Sequence, residues 1–185
     1  MLSFLGIDYT SHLVNGAERE QKSPAFLVMN PFGQVPLLKD GNTIIRDSQA
    51  ILVYLARAYG ADNWFPVDAV KAAEVTAWLS TAANEIARGP NALRLHYKFG
   101  RVINLDEATA MTQQVLNALE KHLENREWLV AEHITIADVA VYPYIALAHE
   151  GKVDLSPFVS LNKWLRRIEL LPGFVTMPGI PFNSR

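Results

Sequence analysis

Two stretches decide how this chain reads: NPFGQVPLL, residues 30–38, and DSQAILVYLA, residues 47–56, the second beginning nine residues after the first ends. Proline has no N–H to give a β-ladder, so Pro36 belongs at the start of a strand. A cis Val35–Pro36 bond at that point makes a tight turn that presents the Val35 N–H and C=O outward. Those two groups can pair antiparallel with an extended peptide backbone, a minimal case of strand addition. From Ser48 onward Ile51, Leu52, Leu55, Ala58 and Tyr59 recur at spacings of three and four, the period of an amphipathic helix. The free N–H groups and dipole at that helix start favour a carboxylate, the Ser48 hydroxyl adds a donor, and Asp47 can accept from an ammonium. Together the two stretches describe a pocket for the amino-acid end of a short peptide. Taken singly each has a plainer reading, Ser48 as a helix cap and Val35–Pro36 as an ordinary turn.

Around this pocket the first third of the chain changes period often, while the rest reads as long helices, with the seam near residues 60–68. Leu2, Leu5 and the stop at Gly6 look like the last turn of a helix, and residues 9–14 read as a short strand. A polar stretch over 15–23 precedes a helical turn at 25–29. Residues 35–38 and 43–45 form a hairpin across the four-residue link 39–42, whose Asp40-Gly41 pair signals a turn; at that loop length a type I turn is expected. Beyond GADNWFP, residues 60–66, a long helix starts at Asp68, carries Val75, Trp78, Leu79, Ala82 and Ile86 inward, and breaks at Gly89-Pro90. Asp106 caps a further helix whose apolar face is Ala108, Met111, Val115, Leu119 and Leu123. Residues 135–147 are almost wholly apolar, which predicts a buried central helix. Thr135 and Asp138 supply its capping box, with Ile134 placed as a hydrophobic staple. Leu161, Trp164, Leu165 and Ile168 mark a last amphipathic helix, stopped by Pro172-Gly173.

Composition narrows the function classes. The 17 Lys and Arg against 19 Asp and Glu, without a run of either sign, leave no electrostatic footprint for nucleic acid. The complete lack of cysteine excludes, within this chain, a disulfide framework, a thiolate metal site and a cysteine nucleophile. No apolar stretch has the length of a membrane helix and the opening residues lack the pattern of a signal peptide, so a soluble cytoplasmic protein is expected. His12, His96, His122, His133 and His149 are scattered without ligand spacing, which argues against a metal. Arg88, Asn91, Arg94, His96 and Tyr97 cluster after the long helix as either the polar lining of a substrate pocket or a solvated helix end. Trp78, Trp128 and Trp164 fall at packing positions.

The segment over 30–56 resembles the glutathione-binding half of a glutathione S-transferase, and ITIADVAVYPYI, residues 134–145, resembles the capping-box helix of that family's second domain. LGIDY, EGKVDLSPF and LPGF fall where bacterial members carry similar segments. The resemblance implies an α/β plus all-α fold, a thioredoxin-like domain over residues 1–60 lacking its first strand, a linker over 61–66, and a helical domain over 67–185. It assigns Val35, with Pro36 behind it, to the cysteinyl backbone of glutathione, Asp47 and Ser48 to its γ-glutamyl end, and Gln34 to a further contact with the tripeptide. Glutathione then serves as co-substrate, no metal takes part, and a homodimer is the default assembly. In the family the first strand and its loop bear the Tyr, Ser or Cys that serves the glutathione sulfur. Here Met1 falls inside the following helix, so the catalytic residue has no counterpart and little conjugating activity is expected of the chain as it stands. Tyr9, Thr10 and Ser11 lie on the wrong side of LGID to replace it. The implied function is glutathione conjugation to an electrophile, with a non-catalytic binding or interaction protein of the same fold as the alternative.

Overall fold

The computed structural model describes residues 1–180; the end of the helical stretch expected over 67–185 lies outside them. In chain order the elements are α1 (Pro24–Met29), β1 (Leu37–Asp40), β2 (Thr43–Arg46), α2 (Ser48–Ala58), α3 (Ala69–Thr81), α4 (Pro90–Phe99), α5 (Leu105–Leu123), α6 (Ile136–Ala146) and α7 (Val159–Glu169). A small α/β unit with a two-stranded antiparallel sheet therefore precedes an all-helical remainder. This is the thioredoxin-like plus helical arrangement that the sequence implies.

The first residues do close a helical turn. Ile7 N–H donates to Leu2 C=O at 3.0 Å and Gly6 N–H to Ser3 C=O at 3.1 Å, with Gly6 at φ +64°. That pair of bonds around a left-handed glycine is the usual finish of an α-helix. Residues 9–14, expected as a strand, are not one: over 7–15 the chain has neither ladder nor turn among the described residues. A strand is defined by its partner, and no neighbour supplies one. The hairpin is also tighter than its composition suggests. Asp40 pairs with Thr43 and Leu37 with Arg46, so the loop is the two residues Gly41 and Asn42, and the strands are shifted by up to two residues from the expected apolar runs. Gly41 has φ +55° while Asn42 does not reach positive φ, the sign pattern of a type II′ turn, whose twist suits the flanking strands better than type I.

The core sits in the helical part. Val75, Ile86, Leu119, Ile136, Val141, Ile145, Leu161 and Trp164 are fully buried, with α6 at the centre. The capping box forms as expected. Thr135 N–H donates to Asp138 at 2.8 Å and the Thr135 hydroxyl oxygen accepts from Ala137 N–H at 3.3 Å. Asp138 does more than the box requires. Itself fully buried, it also accepts from Leu129 N–H at 3.0 Å and from the Trp164 indole N–H at 2.9 Å, so one carboxylate ties α6 to α7 and to the loop before it. Burial pushes its carboxyl above the usual range, and these donors act in the opposite sense.

The long helix breaks at Gly89-Pro90 as expected: Gly89 leaves the helical region at φ −95° and ψ −105°, and a second helix follows directly. A π turn spans Ala82–Ile86, and α4 restarts at Pro90, where proline's missing N–H costs nothing and its φ suits a helix start. The α/β unit is fastened to the helical part by Ala56 on α2, by Phe4 stacked at 5.8 Å on Trp64, and by Ile136 N–H donating to Trp64 C=O at 3.0 Å. The Ser3 hydroxyl adds a bond of 2.6 Å to Gly173 C=O.

Candidate functional site

The hairpin register decides where the expected binding residues meet. Because Leu37 stands opposite Arg46, the chain enters β1 through Val35–Pro36 and leaves β2 into Asp47–Ser48 at the same end of the hairpin. Residues distant in sequence are thus brought to one edge of the α/β unit by four paired residues on each strand. Val35–Pro36 is the one cis peptide bond among the described residues. Val35 is 58% exposed, and neither its N–H nor its C=O has a hydrogen-bond partner within the described chain. Ser48 is the first residue of α2 and exposed, as the helix-start reading requires.

Asp47, not Ser48, is the cap of that helix. Its Oδ1 accepts from Gln49 N–H at 2.9 Å and Ala50 N–H at 3.1 Å, which leaves Oδ2 outside the cap and free to face solvent. The residue adopts φ +74° and ψ 130°, a conformation that costs a non-glycine residue about 1–3 kcal/mol. With the cap assigned to its neighbour, the Ser48 hydroxyl makes no hydrogen bond among the described residues, and the plain reading of Ser48 as a cap falls away.

The loop over 30–36 is shaped by Asn30. Asn30 is 2% exposed; its Nδ2 donates to Gln34 C=O at 2.7 Å and its Oδ1 accepts from Phe32 N–H at 3.1 Å. Gly33 N–H donates to Asn30 C=O at 2.8 Å, and Lys22 Nζ to Phe32 C=O at 2.9 Å. Asn30 therefore folds the loop that carries Gln34 and Val35 into position. The signal was present in Asn-Pro followed by a glycine, an Asx-type turn. Arg46 lies over the Phe32 ring at 4.4 Å and secures the same loop to β2. Gln34 is exposed, with its backbone oxygen committed to Asn30.

On the far side of the hairpin, Asp40 accepts from the Tyr54 hydroxyl at 2.8 Å and from the Tyr59 hydroxyl, tying the turn end of β1 to α2. The bonds from Tyr59 and Tyr54 hold the Asp40 carboxyl below its usual range, and the bond to Asp40 pushes the Tyr59 phenol up to about 12. Neither tyrosine is set up as a general base at neutral pH.

The polar cluster after the long helix does not converge on a pocket. Arg88 pairs with Glu107, while Arg94 meets Glu150 at 2.5 Å and Lys98 meets the same carboxylate. His96 Nδ1 lies 2.8 Å from Arg101 C=O, and Lys152 sits over the Tyr97 ring at 4.3 Å. These contacts fasten α4 to its neighbours, which favours the structural reading. Within this cluster Asn91 keeps a buried amide oxygen without a partner, as Gln21 and Gln49 do elsewhere among the described residues. Trp164 and Trp128 are buried, and Trp78 stands edge-on to His122 at 4.9 Å. Among the described residues no three His, Asp or Glu side chains gather as a metal site, and no helix is long and apolar enough to cross a membrane.

Known proteins resemble the chain over both of its parts. The model of the glutathione S-transferase N-terminal domain matches residues 1–58, and that of the C-terminal domain matches residues 95–172. Glutathione S-transferase theta-1 of Bos taurus is 32% identical over 182 residues, covering 91% of this chain and 75% of the relative. A solved glutathione S-transferase from Xanthobacter autotrophicus superposes with a TM-score of 0.88 at 28% identity, over 96% of this chain and 88% of that one. A glutathione transferase homologue from Drosophila mojavensis, solved with bound glutathione, gives 0.83 at 30% identity, over 92% and 80% of the two chains.

Proposed function

The chain belongs to the glutathione S-transferase family, and from that membership we propose that it binds glutathione at the open end of the β1–β2 hairpin. The observation that carries this reading is the free backbone pair of Val35, presented beside the N-terminus of α2. In this reading Val35 pairs antiparallel with the cysteinyl residue of the tripeptide, and Pro36 fixes the direction in which it is offered. The γ-glutamyl carboxylate meets the Ser48 hydroxyl and the first N–H groups of α2, where charge-assisted bonds and the helix dipole add. Oδ2 of Asp47 receives the γ-glutamyl ammonium. Gln34 contributes a further polar contact. The strained backbone of Asp47 supports the same reading, because such conformations persist where a site requires them.

Glutathione is a co-substrate in this proposal, and the chemistry is that of the family, attack of its thiolate on an electrophile. The residues named here hold the peptide; none of them touches the sulfur. The division into a glutathione-binding unit over 1–60, a linker over 61–66 and a helical domain over 67–185 belongs to the same reading, as do a cytoplasmic location and a homodimer. Isothermal titration with glutathione tests it. Ser48→Ala should weaken binding by about 1.5–3 kcal/mol, the range of a hydrogen bond to a charged group, on the order of 10- to 100-fold in Kd. Equal affinity of parent and variant removes Ser48 from the site; no binding by the parent removes the site.

A further inference from the structure

Helix α7 turns Leu161, Trp164, Leu165 and Ile168 into the core, and its opposite face is not simply polar. On that face Val159, Lys163, Arg166, Arg167 and Leu170 fall within about 100° of arc around the helix axis. With Leu171 they line a trough of about 850 Å³, open to solvent. Val159 is 57% exposed and Leu170 65%. Ser156 and Asn162 complete the lining, so no carboxylate faces the trough, although acids outnumber bases in the chain by 19 to 17. The acids close by are engaged elsewhere. Glu120 accepts from Ser160 N–H at 2.9 Å and Leu161 N–H at 2.8 Å, Asp154 from Ser156 N–H at 2.8 Å, and Glu169 from the Tyr142 hydroxyl at 3.2 Å. Lys163 is exposed and makes neither a hydrogen bond nor an ion pair among the described residues. Arg166 meets Glu169 at 3.4 Å and Arg167 donates to Glu127 C=O at 2.7 Å, contacts that leave most N–H donors of each guanidinium unused.

Cations toward the end of a helix complement its dipole, but that gives no reason for two exposed apolar side chains on the same face. A small amphiphilic anion would match the chemistry and not the shape, because small-molecule sites enclose most of their ligand and this trough is open. We propose that the α7 face docks an acidic amphipathic helix of a partner protein, laid antiparallel along it. In this mode of recognition apolar anchors at helical spacing supply the grip, and the charges choose the partner and fix its direction. Val159 and Leu170 stand about 16 Å apart along the axis at the rise of an α-helix. An antiparallel helix of the same rise meets them with apolar residues at i and i+11. It meets Arg167, Arg166 and Lys163 with Asp or Glu at i+3, i+4 and i+7. Opposed helix dipoles favour that direction as well. A second copy of this chain does not supply the pattern. Its one pair of adjacent acids is Asp106-Glu107, and Ala110 and Gln114 stand where the third acid and the second anchor are needed. A single docked helix is a small contact, below about 1,200 Å², so the association is weak and concentration-dependent. It shares no residue with the glutathione site and stands or falls apart from it.

The probe is a labelled synthetic helix of about sixteen residues with Leu at the two anchor positions, Glu at the three charged ones and Ala and Gln elsewhere. Its binding to the full chain is read by fluorescence anisotropy. The acidic peptide should bind, a peptide of the same composition in scrambled order should bind at least about tenfold more weakly, and one with Lys in place of Glu should not bind. Lys163→Glu and Leu170→Asp should each weaken the acidic peptide roughly tenfold and leave glutathione binding as in the parent. Raising salt to about 0.5 M should weaken it several-fold, since the paired charges are exposed. The variants are first compared with the parent by circular dichroism and melting. If Lys163→Glu misfolds, Lys163→Ala, which adds no charge, should still cost about threefold. No binding by the parent, equal binding of the scrambled peptide, or indifference to the Lys163 variants overturns the proposal. A parent mass that rises with concentration in sedimentation and stops rising in Leu170→Asp gives the face to a second copy and overturns it too. Co-sedimentation with phosphatidylglycerol vesicles that is lost in Lys163→Glu, without selection between the two peptide orders, gives it to a membrane surface and likewise overturns it.

Discussion

In residues 1–60 the buried apolar side chains are Phe26, Leu55 and Ala56, whereas the helical part buries a continuous cluster from Val75 through Ile168 around α6. The α/β unit has two four-residue strands, the six-residue α1 and the eleven-residue α2 to hold its shape, and it leans on the helical part through Ala56, Phe4 and the Trp64 carbonyl. A unit this small buries little surface of its own. The residues that present the candidate site therefore stand on the region with fewer internal contacts, and the stability they depend on is borrowed across the seam. Order in the first part is kept by polar devices, namely the Asn30 loop, the Asp47 cap and the Asp40 bonds to Tyr54 and Tyr59. In the second part it is kept by packing, with Asp138 as the chief polar exception.

That contrast can be broken most severely at Asp138. Asp138→Ala leaves Leu129 N–H, Thr135 N–H and the Trp164 indole N–H buried without their acceptor. At about 1–3 kcal/mol for each unsatisfied buried donor, the loss should be at least about 3 kcal/mol, read as a fall in melting temperature. Because the seam leans on α6, the whole molecule should unfold together, and the soluble fraction that remains should bind ligand as the parent does. A variant as stable as the parent but unable to bind would make Asp138 a site residue.

The seam itself gives a smaller effect. Trp64 is half-buried, and Trp64→Ala should cost about half of the 3–5 kcal/mol of a fully buried tryptophan. Native-state hydrogen exchange should show residues 1–60 losing protection while α5 and α6 retain theirs. Uniform loss over both regions would mean that the α/β unit does not open separately.

Smallest in stability is the pair of changes at Asp47. Asp47→Gly relieves a strain of about 1 kcal/mol or more and gives up a cap at a cost of only about a few tenths of a kcal/mol, so the melting temperature should hold or rise slightly. Asp47→Ala keeps the strained backbone without the cap and should cost about 1 kcal/mol. Both should weaken glutathione binding if Oδ2 receives the ammonium. Binding that follows stability alone, reduced in the alanine variant and intact in the glycine variant, would assign Asp47 to the fold only.

Much of this was legible from local chemistry. The proline at the mouth of a strand, the helix period after Ser48 and the T-x-x-D box before an apolar run each state a backbone requirement within a few residues, and the structure meets all three. Asp40-Gly41 announced a turn but not its length, because the loop is set by which residues pair across the strands. Residues 9–14 have the composition of a strand, yet composition does not provide a partner. Gly89-Pro90 has the look of a terminus, yet proline equally suits the first position of a helix, so the same pair that ends one helix starts α4. Asn30 was overlooked because its work is done by side-chain bonds to backbone groups two and four residues on, which a reading by hydrophobic period does not register.

The π turn at Ala82–Ile86 has a consequence for the long helical rod as an inherited object. A turn closed five residues on holds one residue more than an α turn, so the rod changes phase part-way along. Val75 and Leu79 are keyed to the core on one side of that change and Ile86 at its end. Losing a single residue between them would bring the two phases into conflict, rotating one set of anchors away from the core by about a quarter turn. Length variation in this part of the chain should therefore be permitted in loops and refused in the rod, even where the rod is exposed and its residue types hardly matter.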